Sequence, residues 1–449
     1  MSRAGLVGPP RPPAMREMLP ALLRALSAVL GLLPVLFLGS LVISGMLGGA
    51  TATAGVPDDD DTAALSLAGN SSAGAPKSAS LMVEAALTEA QQTPGGYVSE
   101  ERLSLDYRDD VVLAAGWRAV AADRLDVDWL DGAEEINTLK QAYVSWQPLP
   151  GLLLDAGRVN ARQGVALGYN PTDFFKADAL RTVDSLDPDS LRDERLGTVM
   201  LRGEKLWDGG ALTALYAPRL ADTASDGPFS ADFGATNHEN RWLVALSQRL
   251  NSVFTPQWLV FGAQGRSPQA GVNVTTVLGQ ATVVFVEASG GRIPSLWAES
   301  LDLPGSEGLR ARASTGFTYS TSNKLSLSLE YEYDGAALSR AGWNAARESD
   351  PENYGRYRTT VANLQELPTQ HSVFAYASWQ DLFTQHLDLS AFVRLDLVDH
   401  SRLPWVEMRY HRSHLDAAMR WQVYLGGPTS DYGASPSRQT WQVLLDYYL

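Results

Sequence analysis

Apolar and polar side chains alternate over stretches of about ten residues, again and again, between about Glu101 and the last residue, Leu449. In His386–Leu397 one parity holds Leu387, Leu389, Ala391, Val393, Leu395 and Leu397; the other holds His386, Asp388, Ser390, Phe392, Arg394 and Asp396. Lys324–Asp334 sets Leu325, Leu327, Leu329, Tyr331 and Tyr333 against Lys324, Ser326, Ser328, Glu330, Glu332 and Asp334. Leu309–Tyr319 and Asp416–Leu425 repeat the pattern. Successive side chains on a strand point to opposite faces, so each stretch is a strand with one greasy and one wet face. The length suits a tilted strand crossing a bilayer. Half-buried strands of a soluble sandwich alternate in the same way, so the period alone does not separate the two.

The connections do. The pattern places about 18 strands, near 101–107, 111–120, 124–130, 138–147, 151–159, 195–203, 211–217, 240–250, 256–265, 271–279, 280–288, 308–319, 324–334, 370–380, 386–397, 402–412, 414–425 and 438–449. Connections after odd strands include the long segments 160–194, 218–239, 289–307, 335–369 and 426–437. Those after even strands are short, such as Gln147-Pro148-Leu149-Pro150, Ser320-Thr321-Ser322-Asn323 and the single Ser413. Long loops on one end and tight turns on the other fit a barrel with both termini on the short-turn side. The expected fold is therefore all-β: a transmembrane antiparallel up-and-down β-barrel of about 16–18 strands. Hydrocarbon cannot satisfy an open sheet edge, so 101–107 is expected to pair with 438–449. At this size the interior is too wide for side chains to fill and holds water.

Both chain ends agree. Arg3, Arg11, Arg16 and Arg24 precede an apolar run from Ala25 to about Leu47, followed by Ala50-Thr51-Ala52-Thr53-Ala54-Gly55. This order reads as a signal peptide over 1–54, with an uncleaved anchor as the alternative. Residues 55–100 open on Asp58-Asp59-Asp60-Asp61 and are rich in Ala, Ser and Gly. They read as a flexible periplasmic segment, with a short helix as an option over Ser80–Gln92, and the barrel domain is expected over 101–449. At the other end Trp441, Val443, Leu445, Tyr447 and Leu449 share one parity up to the last residue. This final strand resembles the insertion signal of Gram-negative outer-membrane barrels, although Leu449 stands where an aromatic is usual. The resemblance implies an outer-membrane location, contact with outer-membrane lipid and recognition by the barrel-assembly machinery.

The chain carries 36 basic and 51 acidic residues, and 1–54 holds four of the former and one of the latter. The mature chain is thus strongly acidic, which excludes nucleic acid as a partner class. There is no cysteine, so no disulfide supports the fold. The 12 Trp and 16 Tyr are enough for interfacial girdles.

With water inside the barrel, the polar parities become pore-lining candidates: Arg102, Arg118, Arg310, Arg312, Glu330, Glu332, Asp388, Arg394, Asp396, Glu407, Arg409 and Arg420. Both signs occur, which either sets a transverse field on a passing solute or only solvates the wall. The 160–194 connection is too long for a structureless link. It is expected to fold inward as a constriction, using Arg162, Arg181, Arg192 and Arg195 near Asp173, Asp184 and Asp187; an external loop is the alternative. Its Asn170-Pro171 and Asp187-Pro188 pairs read as helix caps. Gly157-Arg158, Asn170-Pro171-Thr172-Asp173 and Arg195-Leu196-Gly197 resemble a pattern of large porin and alginate-export barrels. That resemblance implies a conduit for a hydrophilic solute or an extruded polysaccharide, with an arginine-rich interior; the acidic lumen candidates depart from it.

Catalysis and metal binding find little support. Asp399-His400 and Ser413-His414 are adjacent on the chain, so on a regular strand neither pair shares a face. His411 and His414 straddle a turn without further ligands. No phosphate-binding glycine loop or nucleophile elbow is present. The expected function is a non-enzymatic channel with no cofactor or metal. A non-conducting anchor barrel and an outer-membrane hydrolase are the alternatives.

Overall fold

The computed structural model describes residues 79–449 except 129–133 and 252. The expected signal peptide and residues 55–78 lie outside the described residues. The strands are β1 (Ser80–Gln92), β2 (Tyr97–Ala114), β3 (Trp117–Asp128), β4 (Glu134–Leu149), β5 (Leu152–Val159) and β6 (Thr198–Trp207). They continue with β7 (Gly210–Ala217), β8 (Arg241–Gln248), β9 (Gln257–Ala263), β10 (Gln269–Leu278), β11 (Thr282–Ile293) and β12 (Gly308–Ser320). The last six are β13 (Leu325–Asp334), β14 (His371–Trp379), β15 (Leu387–Asp396), β16 (Arg402–His411), β17 (Leu415–Val423) and β18 (Ser437–Tyr448). Short helices occupy the connections: α1 (Pro188–Asp193), α2 (Phe233–Thr236), α3 (Leu296–Ser300), α4 (Arg340–Arg347) and α5 (Pro351–Leu364).

Each strand pairs antiparallel with its chain neighbours in one 18-stranded sheet, and β1 also pairs with β18. The sheet is closed, so no row of backbone donors and acceptors is left open. The two faces follow the sequence parity, and they are inside out relative to a soluble protein. On β13 Leu327, Leu329 and Tyr331 are exposed while Glu330, Glu332 and Asp334 are buried. On β8 Trp242, Val244 and Leu246 are exposed while Arg241, Leu243 and Ala245 are buried. Exposed apolar residues meet lipid at no cost, and the charges gain partners and water inside. Outward Trp117 and Trp146 stack at 5.2 Å near the short-turn end, and Trp421 and Trp441 at 5.4 Å. Trp441, Tyr447 and Leu449 of the final strand are exposed, and the Leu449 amide donates to the Leu81 carbonyl.

The connections segregate by length. Those of 160–197, 218–240, 294–307, 335–370 and 424–436 share one end, whereas the longest on the other end is 249–256.

Three expectations change. Ser80–Gln92 is not a helix but the first barrel strand. Its Ala-rich composition suits either state, and the two free edges of β18 and β2 decide between them. The barrel therefore begins at Ser80 rather than Glu101, and β1, not 101–107, closes onto β18. The expected strands at 101–107, 111–120 and 124–130 are two longer ones, β2 and β3, joined at Gly116. The missed strand and the extra one offset each other, which kept the count and the assignment of loops to ends unchanged.

Candidate functional site

The 160–197 connection leaves β5 and returns at β6, and inward side chains of the wall set its course. Glu287 of β11 accepts from the amides of Val165 (2.7 Å), Ala166 (3.0 Å) and Thr172 (2.8 Å) and from the Thr172 hydroxyl (2.8 Å). Glu330 of β13 accepts from the amides of Leu167 (2.7 Å) and Gly168 (2.8 Å). Arg394 donates to the Gly168 carbonyl, and Ser289 to that of Pro171 (2.7 Å). Both carboxyl groups are buried, and the amide donors pair oxygens that burial would otherwise leave without a partner. Glycine makes this approach feasible. A Cβ at Gly164 or at Gly168 would lie 2.6 Å from an oxygen of Glu287 or Glu332, and Gly164 also has φ +96°.

Beyond this clamp, Phe174 and Phe175 press on inward Met200, Leu215, Leu243, Leu259 and Phe261. Phe174 stacks on Phe261 at 4.6 Å, and Phe175 meets it edge-on at 6.0 Å. This contact accounts for apolar residues on the inner face of β6–β9.

The return half meets the opposite wall, about half the ring away from Glu287. Asp184 pairs with Arg102 of β2 (2.5 Å) and Arg124 of β3 (3.1 Å). Glu194 pairs with Arg124 (3.6 Å) and Lys140 of β4 (3.5 Å), and Arg420 donates to the Asp184 carbonyl (3.3 Å). Glu84 of β1 holds Arg102 (2.6 Å) and Arg124 (2.8 Å) from behind. Between these contacts α1 is capped by Asp187, which accepts from the Ser190 amide, with Pro188 in the first turn, whereas Asn170-Pro171, also expected to cap a helix, opens a run of turns in which the Thr172 amide goes to Glu287. Burial outweighs the pull of Lys140 and Arg124 and raises the Glu194 carboxyl above its ordinary range.

A third support comes from the end of α5. Tyr169 donates to Glu366 (2.5 Å), Lys176 pairs with Glu366 (3.3 Å), and the Asp178 amide donates to the Asn363 carbonyl (2.8 Å). Gln365 donates to the Lys176 carbonyl (2.5 Å).

The expected pore-lining residues fall into two groups. Arg102, Arg312, Glu330, Glu332, Arg394, Glu407, Arg409 and Arg420 face one another or the crossing segment. Arg312 meets Asp334 (3.2 Å) and Glu366 (3.6 Å), Arg394 meets Glu332 (3.5 Å), and Glu407 joins Arg409 (2.8 Å) to Arg420. The other four sit at the ends. Arg118 pairs with Asp110 (3.1 Å), and Asp388 lies 3.4 Å from His411, both near the short turns. Arg310 donates to the Ile293 carbonyl (2.7 Å) at the long-loop end, and Asp396 caps 397–401 by accepting from Val398 and Asp399.

Among the loop candidates, Arg195 pairs with Asp173 (2.5 Å) and Arg162 with Asp193, and Arg192 donates to the Gln163 carbonyl (3.2 Å). Arg181 reaches away to the carbonyls of Asn137, Gly227 and Ser230. Arg162 and Arg192 shape the loop from within, Arg195 also reaches Gln365 (3.0 Å), and Arg181 ties the loop to β4 and to the 218–240 connection; its other polar contacts with the wall come mainly from its backbone, Asp184 and Glu194. Glu287 escaped the sequence reading; its one signal was a lone carboxylate in the apolar run Val283-Val284-Phe285-Val286. Glu84 and Lys140 escaped it too, Glu84 because its segment read as a helix. His411 lies between Asp416 (2.9 Å) and Asp388. Among the described residues no group of His, Cys, Asp or Glu is placed to hold a metal ion.

Two cavities flank the return half. One, about 360 Å³, opens toward the long-loop end beside Phe374, Phe392, Arg394 and Asp431. Enclosure there pushes the Asp431 carboxyl up to about 7, against the pull of Arg358 and with Asp396 and Asp399 adding to the rise. The other, about 320 Å³, lies by Glu84, Arg124, Arg409, Arg420 and Asp446. Val183 and Leu191 line both.

The sequence matches no protein-family model and no curated protein. Its fold is similar to that of solved structures. OccAB1 of Acinetobacter baumannii superposes with a TM-score of 0.52 at 10% identity, covering 84% of this chain and 99% of that one. OccAB3 of the same organism gives 0.52 at 9% identity, over 83% and 98%. OccK8 (OprE) of Pseudomonas aeruginosa gives 0.51 at 11% identity, over 83% and 97%. With its closed 18-stranded wall, the chain has the fold of the Gram-negative outer-membrane β-barrel porins.

Proposed function

We propose that the protein is a non-enzymatic outer-membrane channel that passes a small hydrophilic solute by diffusion, with the 160–197 connection as its constriction. One observation carries this reading: that connection is tied to opposite walls, by Glu287 and Glu330 on one side and by Arg102, Arg124 and Lys140 on the other. The flanking cavities, of about 360 and 320 Å³, suit a small molecule better than an extruded polysaccharide. Val183 and Leu191, common to both, mark the narrow junction. Arg102, Arg124, Arg409 and Arg420 stand among Glu84, Asp184, Glu407 and Asp446, so a passing solute meets paired charges of both signs on this side rather than a wall of one sign. In this reading the outward residues of β18, Trp441, Val443, Leu445, Tyr447 and Leu449, are what the barrel-assembly machinery recognises. The segment before Ser80 lies in the periplasm.

Single-channel recording in planar bilayers tests the proposal. Wild-type protein is expected to give discrete openings, and a variant lacking 165–190 a conductance at least about twofold higher, because the crossing segment narrows a wide pore. Unchanged conductance removes the constriction. A silent bilayer favours a non-conducting anchor.

A further inference from the structure

The outward face of the wall carries a charge pattern that a channel does not need. On strands β11–β17 every carboxylate takes the inward parity. Among the described residues of these strands, only Arg292 and Arg402 are charged side chains of outward parity, and both stand at the long-loop end. An arginine facing lipid is costly at mid-depth and tolerated at the rim. Around Arg402 the rim gathers further donors. His371 opens β14 on the outward parity, beside Tyr331 and Tyr333 of β13. The Tyr331 hydroxyl lies 2.7 Å from His371 Nδ1 and the Tyr333 ring 5.3 Å from the imidazole, which leaves Nε2 to meet a ligand. On the next strand the Leu397 amide donates to the His371 carbonyl (2.9 Å), and Arg340 of α4 donates to the Leu397 carbonyl (3.1 Å). Arg402 stands opposite Leu395 one strand further on, and His400 lies in the turn between. Arg340, His400 and Arg402 are exposed, and among the described residues no carboxylate forms an ion pair with any of them. The one acid of that turn, Asp399, accepts from the amides of Ser401 (2.8 Å) and Asp431 (2.6 Å).

Guanidinium groups and an imidazole donor on one short stretch of rim suit a phosphate. What lies beneath them selects its source. Below Arg402 the outward parity continues through Pro404, Val406 and Met408, with Val393 and Leu395 on the neighbouring strand. A free phosphate has no use for this apolar run, whereas the acyl chains of a lipid cover it while the headgroup sits at the rim. With both termini in the periplasm, the long-loop end lies in the outer leaflet, where the lipid is lipopolysaccharide and its lipid A bears phosphates at headgroup level. We propose that the rim of β14–β16 binds a lipid A phosphate, with Arg402 and Arg340 as its charged donors and His371 beside them. The proposal rests on the orientation given to the channel, not on conduction.

Native mass spectrometry of the full-length mature protein in detergent tests it, with bisphosphorylated lipid A, lipid A stripped of phosphate, phosphatidylglycerol and inorganic phosphate as probes. Saturable binding of bisphosphorylated lipid A is expected, about tenfold weaker in Arg402→Gln and about tenfold weaker for the stripped lipid. Arg292→Gln removes the like charge five strands away and is expected to leave binding unchanged. Heat-modifiable electrophoretic mobility establishes that both variants are folded barrels. Full-strength binding in Arg402→Gln, an equal loss in Arg292→Gln, or no saturable binding overturns the proposal. So does binding of stripped lipid A or inorganic phosphate as tight as that of bisphosphorylated lipid A. Tighter binding of phosphatidylglycerol overturns it as well, by placing this rim in the inner leaflet. Bilayer currents on the same preparation separate the two claims: lipid A binding with a silent bilayer keeps the site and removes the channel, and current without lipid A binding does the reverse.

Discussion

Glu287 concentrates in one carboxylate what positions the crossing segment. Its two oxygens accept four bonds from Val165, Ala166 and Thr172, and Gly164 brings the backbone within their reach. Glu287→Gln keeps the shape but leaves one accepting oxygen and no charge. The expected cost is about 1–3 kcal/mol, and the segment should loosen. Higher or noisier open-channel current would report this, and a trace identical to wild type would count against the clamp. Asp431, on the 424–436 connection, offers a pH test. Its folded-state value of about 7 exceeds the ordinary carboxylate value of 3.8, so the folded protein holds the proton more tightly. The resulting stability is fully present below the unfolded value and is lost as pH rises through about 7. Denaturant midpoints for wild type should therefore fall between about pH 4 and 7 and level off above, and Asp431→Asn should remove that part of the fall. Equal slopes in both proteins would refute the assignment.

At the scale of elements, β1 shows how a local reading and a tertiary one part. Its outward Val83, Ala85 and Leu87 and inward Met82, Glu84 and Ala86 alternate, yet Ala-rich Leu81–Ala86 also fits a helix. Alternation is a property of a segment alone, whereas the pairing of β1 with both β2 and β18 is a property of the closed sheet. Ala85 sits outward between Leu103 and Leu445, near the middle of the strand. Ala85→Arg should therefore destabilise the barrel by about 2–4 kcal/mol, the cost of arginine facing lipid near the midplane. Equilibrium unfolding in detergent or lipid measures it, and an unaltered midpoint would mean that 80–92 is not part of the wall.

The whole molecule has one end of tight turns and one of long connections, and this fixes its orientation once both termini face the periplasm. An epitope inserted after Asp222, in 218–240, should be labelled on intact cells. The same epitope after Gly279, in the turn between β10 and β11, should be labelled only after permeabilisation. Reversed labelling would invert the proposed topology. Outside 80–92, the sequence by itself determined which strand side chains face lipid and which face the interior, because parity needs only two neighbouring residues. It also determined the segregation of loops, and with it a closed barrel of about this size. Only the tertiary structure decided that 80–92 closes the ring, that Glu287 and Glu330 hold backbone amides rather than line an open pore, and that Asp184 and Glu194 meet Arg102, Arg124 and Lys140. Those contacts join residues far apart in the chain, and the distance that matters is the one across the lumen, which exists only once the sheet has closed.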